Sequence, residues 1–322
     1  MSPLEYRILG QTGVKVSPVC CGTMTFGREA DEETSAAIFN RCREVGVNFF
    51  DCANMYAQGR SEEILGRLIA GCRNDVVITS KVFGAAGPGV NDRGLSRRHM
   101  MLAIEQSLKR LNTDRIDVYY LHNFDPAQPM EESLRALDDM VRQGKIVYPA
   151  CSNWAAWQIA KALGIQAFTG LARFACDQPM YNLVKRQAEV EIFPLAQSEN
   201  IGMCPYNPLG GGLLTGKYNA EQKPEHARLI DQPLYTQRYS RPAYYDVVAR
   251  FVAHARERGV HPAPLALAWV MAHPAVTSPI LGARNVEQLN DSLSALDIKM
   301  TPEWRAEIAA LSPAPPDATD RN

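Results

Sequence analysis

The chain has 322 residues, 46% of them hydrophobic, enough for one large α/β unit with a sizeable core. Its formal net charge of −1 gives no global attraction to nucleic acid or an anionic membrane, and no apolar run reaches the roughly 18–20 residues that span a bilayer. The start, MSPLEYR, lacks the apolar core of a signal peptide, so the cytoplasm is the expected location.

Short β-branched runs alternate with longer amphipathic ones along the chain, the pattern of a parallel sheet with crossover helices. The segment 6–17, with Gly10 and Gly13 around a turn, reads as a β-hairpin plugging a barrel bottom. Strands are predicted at 18–22, 47–50, 75–80, 115–121, 146–150, 171–176, 201–204 and 276–280. Helices are predicted at 32–45, 61–70, 97–110, 131–142, 155–163, 187–199, 243–272 and 285–296. Asp31, Glu32 and Glu33 open the first helix with acidic residues where the helix dipole favours them, Ser96 stands as the N-cap of the helix at 97, and Gly46 and Gly144 stand where helices 1 and 4 must stop. Strict alternation of eight strands with eight helices predicts a (β/α)8 TIM barrel as a single unit over 1–312. The Pro- and Asp-rich 313–322 read as a disordered tail.

The eight cysteines include no C-x-x-C pair, and no Cys/His set has zinc-ligand spacing, so reduced structural thiols and no metal are expected. In a barrel the active site forms where strands end, which directs attention to polar residues there. Asp51 follows strand 2, with Tyr56 in the next loop; Lys81 ends strand 3 and His122 ends strand 4. A lysine or aspartate leaving an apolar strand is costly to bury unpaired, so Asp51 and Lys81 are expected to pair. A cation near Tyr56 is expected to lower its pKa and make it a proton donor or acceptor, with His122 polarising a carbonyl.

These residues lie in strings that resemble the aldo-keto reductase family: GTMTFG (22–27), VNFFDCANMYAQGRSEEILGRLI (47–69), ITSKV (78–82), DVYYLHNFD (117–125), GKIVYPACSNW (144–154), DQPMYNL (177–183), PYNPLGGGLLTGKY (205–218) and LGARNVEQL (281–289). The resemblance runs from about residue 4 to 310. It implies an NADP(H)-dependent oxidoreductase moving a hydride between the nicotinamide and an aldehyde or ketone, in either direction. Tyr56 is then the general acid or base, Lys81 its modulator held by Asp51, and His122 the residue that orients the carbonyl. Ser152, Asn153 and Gln178 are implied to bond the carboxamide, and Tyr206 to stack on the ring. Gly22, Thr23, Met24 and Asp51 are implied to lie beside the cofactor. So are Asn207, Pro208, Leu209, Gly210, Gly212 and Lys217, with the glycine-rich backbone and Lys217 cradling the pyrophosphate. Gly282, Arg284 and Gln288 are implied at the adenosine end, Arg284 favouring NADP over NAD through the 2′-phosphate.

Three positions depart from the family's pattern. Pro149 replaces a small or aliphatic residue in strand 5, Ser292 stands where an asparagine often meets adenine, and Asn207 replaces a common serine. No G-x-G-x-x-G follows a first strand, and 211–218 fails the P-loop pattern at Tyr218. Met24, Met55, Phe26, Phe83, Trp154 and the tyrosines are expected to form an apolar wall for the substrate, framed by loops 83–95, 122–130 (with Phe124) and 218–242 (with Tyr235, Arg238, Tyr239 and Arg241). The expected partner is a small carbonyl or alcohol, with neither nucleic acid nor membrane, and the oligomeric state is open. The alternatives are a cofactor-binding regulatory protein resembling potassium-channel β subunits, and a Schiff-base enzyme using Lys81.

Overall fold

The computed structural model describes residues 4–218 and 228–319. Part of the 218–242 loop and the last residues of the predicted tail lie outside them; 313–319 contain neither helix nor strand. A short antiparallel hairpin, β1 (Arg7–Ile8) and β2 (Lys15–Val16), comes first. Eight parallel strands follow: β3 (Cys20–Gly22), β4 (Phe49–Asp51), β5 (Val77–Val82), β6 (Ile116–Leu121), β7 (Ile146–Ser152), β8 (Cys176–Gln178), β9 (Gly202–Met203) and β10 (Ile280–Leu281). They run in the order β10-β3-β4-β5-β6-β7-β8-β9. The two edges meet where Ile280 N–H donates to Pro205 O at 2.8 Å and Thr277 N–H to Met203 O at 2.8 Å. That closes the predicted (β/α)8 barrel.

Side-chain alternation along each strand sorts the core into two layers. Cys20, Phe49, Val118, Tyr120, Ala150, Cys176, Cys204 and Ile280 fill the barrel interior with Leu9 and Val16 of the hairpin. Their neighbours point outward against the helices. The hairpin plugs the barrel as its sequence predicts. Gly10 sits at φ +53°, and a Cβ there would lie 2.4 Å from Ala175 O, so only glycine permits this approach. All eight cysteines are free thiols, seven of them buried.

Six helices join successive strands from β3 to β9: α1 (Glu32–Glu44), α2 (Arg60–Ile69), α3 (Arg97–Leu111), α4 (Met130–Arg142), α5 (Ala156–Thr169) and α6 (Ile192–Glu199). Ser96 caps His99 N–H as expected, and Asp31, the first of the acidic residues at the start of α1, caps Thr34 N–H. Among the described residues, four helices lie between β9 and β10: α7 (Arg228–Asp231), α8 (Pro233–Arg238), α9 (Pro242–Glu257) and α10 (Pro262–Met271). Two follow β10: α11 (Val286–Leu293) and α12 (Pro302–Ala309).

The differences from the sequence reading have local causes. The region 243–272 is two helices because Gly259 turns left-handed (φ +64°) and Pro262 starts afresh behind a His261 cap. Helix α6 begins at 192 instead of 187, since Pro194 cannot donate to a carbonyl one turn back. Strand β8 begins at 176 instead of 171. The Pro149 carbonyl faces this segment, accepting from Ala175 N–H at 2.9 Å, so the missing Pro149 N–H falls on the same side. Side chains occupy the backbone there instead: Asp138 accepts from Ala172 N–H and Gln166 donates to Ala172 O.

Candidate active site

Pairing of β4 with β5 sets Asp51 against Thr79, two residues before Lys81. Both charged side chains are buried at the mouth of the barrel, Lys81 completely. Lys81 Nζ donates to both Asp51 oxygens and to Cys52 O, each at 2.7 Å. Asp51 also accepts from Thr79 Oγ1 at 2.7 Å and Gln178 Nε2 at 2.9 Å. The predicted pair therefore forms, and its remaining capacity is satisfied, as a buried charge requires.

Tyr56 opens a single 3₁₀ turn, Tyr56–Gly59, and its hydroxyl lies 3.4 Å from Lys81 Nζ. The ammonium is 5.0 Å from the Tyr56 ring centre and 5.7 Å from that of Tyr120 beneath it. Burial, with the Asp51 charge second, pushes the phenol well above its ordinary pKa. This reverses the lowering expected from Lys81. The Asp51 carboxylate sits nearer to the ammonium than the phenol does and cancels much of its field. Tyr56 therefore carries its proton at neutral pH.

His122 follows β6, its ring 6.2 Å from that of Tyr56 at 77°. Burial, then the Lys81 charge, depresses its pKa to about 3. Its Nδ1 is buried with no partner among the described residues. A neutral imidazole suits a donor to a carbonyl oxygen. The expected result is that the His122 ring signals, assigned with a His122→Gln variant, stay flat by NMR between pH 5 and 8. A midpoint near the ordinary histidine value would contradict it. The sign for stability follows: below about 6.5 the unfolded chain binds a proton that the folded state refuses, so this group lowers stability as pH falls from there toward 3.

Beside these four residues stands a linked set of amides and hydroxyls. Asn153, at φ +59°, donates to His122 O at 2.9 Å and to Ser152 Oγ at 3.1 Å, and accepts from Tyr206 OH at 2.8 Å. Ser152 Oγ donates to Gln178 O at 2.9 Å. Ser152 and Gln178 are buried, Asn153 is exposed and Tyr206 half-buried. Thr23 is buried, donating to Asp51 O at 3.0 Å, and Met24 is half-buried. Gly22 ends β3 against Ile280, whose Cγ2 would lie 2.7 Å from a Cβ.

Across the mouth, Asn207 (φ +65°) accepts from Gly211 N–H at 3.2 Å and donates to Tyr239 OH at 2.9 Å. Pro208 is buried, Leu209 packs on the core, and Gly210–Thr215 form a 3₁₀ turn with left-handed Gly211 and Gly212. A Cβ on Gly212 would come 3.1 Å from Lys217 Cε. At α11, Arg284 N–H donates to Gln288 Oε1 and Asn285 caps Gln288 N–H. Gly282 is exposed next to this turn. The Arg284 guanidinium makes no hydrogen bond or ion pair with a described residue. Ser292 lies on the buried side of α11.

The profile of the Aldo/keto reductase family matches residues 18–313. The chain belongs to that family. Among its relatives is a protein of Arabidopsis thaliana named a probable voltage-gated potassium channel subunit beta, 39% identical over 92% of each chain. Another is an oxidoreductase of Bacillus subtilis (strain 168), named uncharacterized, 37% identical over 97% of each. A third, of Schizosaccharomyces pombe, is named a putative aryl-alcohol dehydrogenase and is 33% identical over 94% of each.

For an aldo/keto reductase mouth, two of the expected wall residues are misplaced. Phe26 is fully buried behind the sheet, and Trp154 is buried between Phe124 and Phe174, with ring centres 5.1 and 5.6 Å away. Met55 is 46% exposed over Gly84, and Phe83 and Phe124 are half-buried. Residues missed in the sequence are Thr79, which donates to Asp51, and Glu62, a fully buried acid. Glu62 had a signal: it falls on the same helical face as Leu65 and Ile69, where an acid needs a partner.

Proposed function

We propose that this aldo/keto reductase is an NADP(H)-dependent enzyme that interconverts aldehydes or ketones with alcohols, with Tyr56 as proton donor in reduction. The carrying observation is one contact set: the Tyr56 hydroxyl 3.4 Å from Lys81 Nζ, with its ring edge-on to that of His122, where burial keeps the phenol protonated and the imidazole neutral at pH 7. His122 donates a hydrogen bond to the substrate oxygen and sets its direction. Tyr56 gives its proton to that oxygen as negative charge develops there. Lys81, held by Asp51, stabilises the phenolate left behind. In the reverse direction the phenolate takes the alcohol proton.

When bound, the nicotinamide supplies or accepts the hydride. Asn153, Tyr206, Ser152 and Gln178 form the bonded wall against which it would be held. The left-handed Gly211 and Gly212 open a backbone cradle, since a Cβ on Gly211 would lie 2.9 Å from the Tyr235 ring. The Arg284 guanidinium, without a partner among the described residues, fits a 2′-phosphate. Arg284→Ala is expected to weaken NADPH binding about tenfold or more while leaving NADH nearly unchanged, read by fluorescence titration. Equal losses for both would sink the 2′-phosphate role.

The test of the activity is NADPH consumption across aliphatic and aromatic aldehydes and ketones. Turnover on any of them supports the enzyme reading. Tight NADPH binding with none favours the second reading, a cofactor-binding regulatory subunit, supported by the name of the Arabidopsis thaliana relative. A cytoplasmic location belongs to the same proposal; among the described residues no helix is long and apolar enough to cross a membrane.

A further inference from the structure

Tyr56 is followed by three consecutive residues at positive φ: Ala57 at 48°, Gln58 at 56° and Gly59 at 92°. Only the last is glycine, so the turn presenting the hydroxyl is held in a backbone region that L side chains avoid. Such a turn persists only when its surroundings over-determine it. Two groups outside the catalytic set do so here. Arg110, near the end of α3, lies across Gly59; its Cδ and Nε would be 2.8 and 2.9 Å from a Cβ at that position. Its Nε donates to Glu62 Oε2 at 2.7 Å. Glu62 is fully buried in the first turn of α2, and its other oxygen accepts from Ser80 Oγ at 2.5 Å. Ser80 is the residue before Lys81 on β5.

We propose that the Arg110–Glu62 pair is a positioning clamp for the proton-transfer site. One carboxylate grips the strand that carries Lys81 through Ser80. Through Arg110, it also grips the turn that carries Tyr56 at Gly59. The clamp thereby sets the 3.4 Å Lys81–Tyr56 contact from behind the sheet, touching neither substrate nor cofactor. Glycine at 59 serves two needs at once, the left-handed φ and the bare surface on which Arg110 lies.

The inference rests on Tyr56 being the proton donor, and the experiment separates the two. Arg110→Met keeps most of the stem and removes the charge, Arg110→Lys restores a cation, Ser80→Ala releases only the strand, and Tyr56→Phe is the control. For each folded variant kcat, KM, NADPH affinity, the solvent deuterium isotope effect and hydrogen exchange of the peptide spanning 54–62 are measured. Arg110→Met is expected to lower kcat about tenfold to a hundredfold, the usual loss for a reacting group displaced by about an ångström. It should raise the solvent isotope effect, speed exchange in 55–61 and leave NADPH affinity unchanged, with Arg110→Lys recovering most of kcat. If Arg110→Met does not fold, Ser80→Ala decides with a smaller loss of the same kind. Wild-type kcat and isotope effect in folded variants, with only the melting temperature lowered, would overturn the clamp. If Tyr56→Phe itself turns over normally, the role of Tyr56 fails, and the exchange of 55–61 alone decides: faster exchange upholds the clamp, and unchanged exchange overturns it.

Discussion

Tyr56→Phe is expected to lower carbonyl turnover by about 10²–10⁴-fold, the range for losing a positioned general acid. Only the hydroxyl is removed, and the ring stays beneath the Lys81 ammonium and edge-to-face with His122. Affinity for NADPH should therefore stay within about twofold, and the loss should fall on kcat rather than KM, because the proton is needed only in the transition state. Steady-state kinetics with titration of the same preparation checks this. Turnover within a few-fold of wild type would remove Tyr56 as the acid.

Lys81→Met is expected to damage both stability and activity. It strips the fully buried Asp51 partner of its cation and leaves Thr79 and Gln178 as the remaining donors to a carboxylate that is only 2% exposed. Removing one member of a buried pair costs about 3–5 kcal/mol, read as a fall in the denaturant midpoint at constant slope. Replacing both partners, Asp51→Asn with Lys81→Met, removes the stranded charge and should recover most of that stability. Activity should not return, since nothing then stabilises the Tyr56 phenolate. Recovery of turnover in the double variant would show that the pair serves the fold alone.

Strand ends made most of the site legible in the sequence. Asp51, Lys81 and His122 stand out because charged and polar groups interrupt apolar runs, and their places at or just past the ends of β4, β5 and β6 follow from the order of the strands. Tyr56 was legible only through its neighbours, since a loop tyrosine carries no periodic signal. Its pKa direction was not: the sequence shows a cation nearby, but not that Asp51 takes two of its three nearest contacts. Helix α12 was missed although Thr301 and Pro302 mark its start, with Thr301 accepting from Trp304 N–H. The short helices α7 and α8 lack an apolar stripe long enough to read. The wall residues Phe26 and Trp154 were misassigned because an aromatic beside a loop looks alike from the sequence whether it faces the mouth or the helix layer.

The central claim is tested most directly by hydride transfer itself. Wild-type protein is mixed with NADPH carrying deuterium on both C4 positions and with an aldehyde that it turns over, and the alcohol is examined by mass spectrometry and NMR. The account predicts one deuterium, bound to the carbinol carbon of the product. An alcohol without that deuterium, or no reduction of any carbonyl by a protein that binds NADPH tightly, would contradict it.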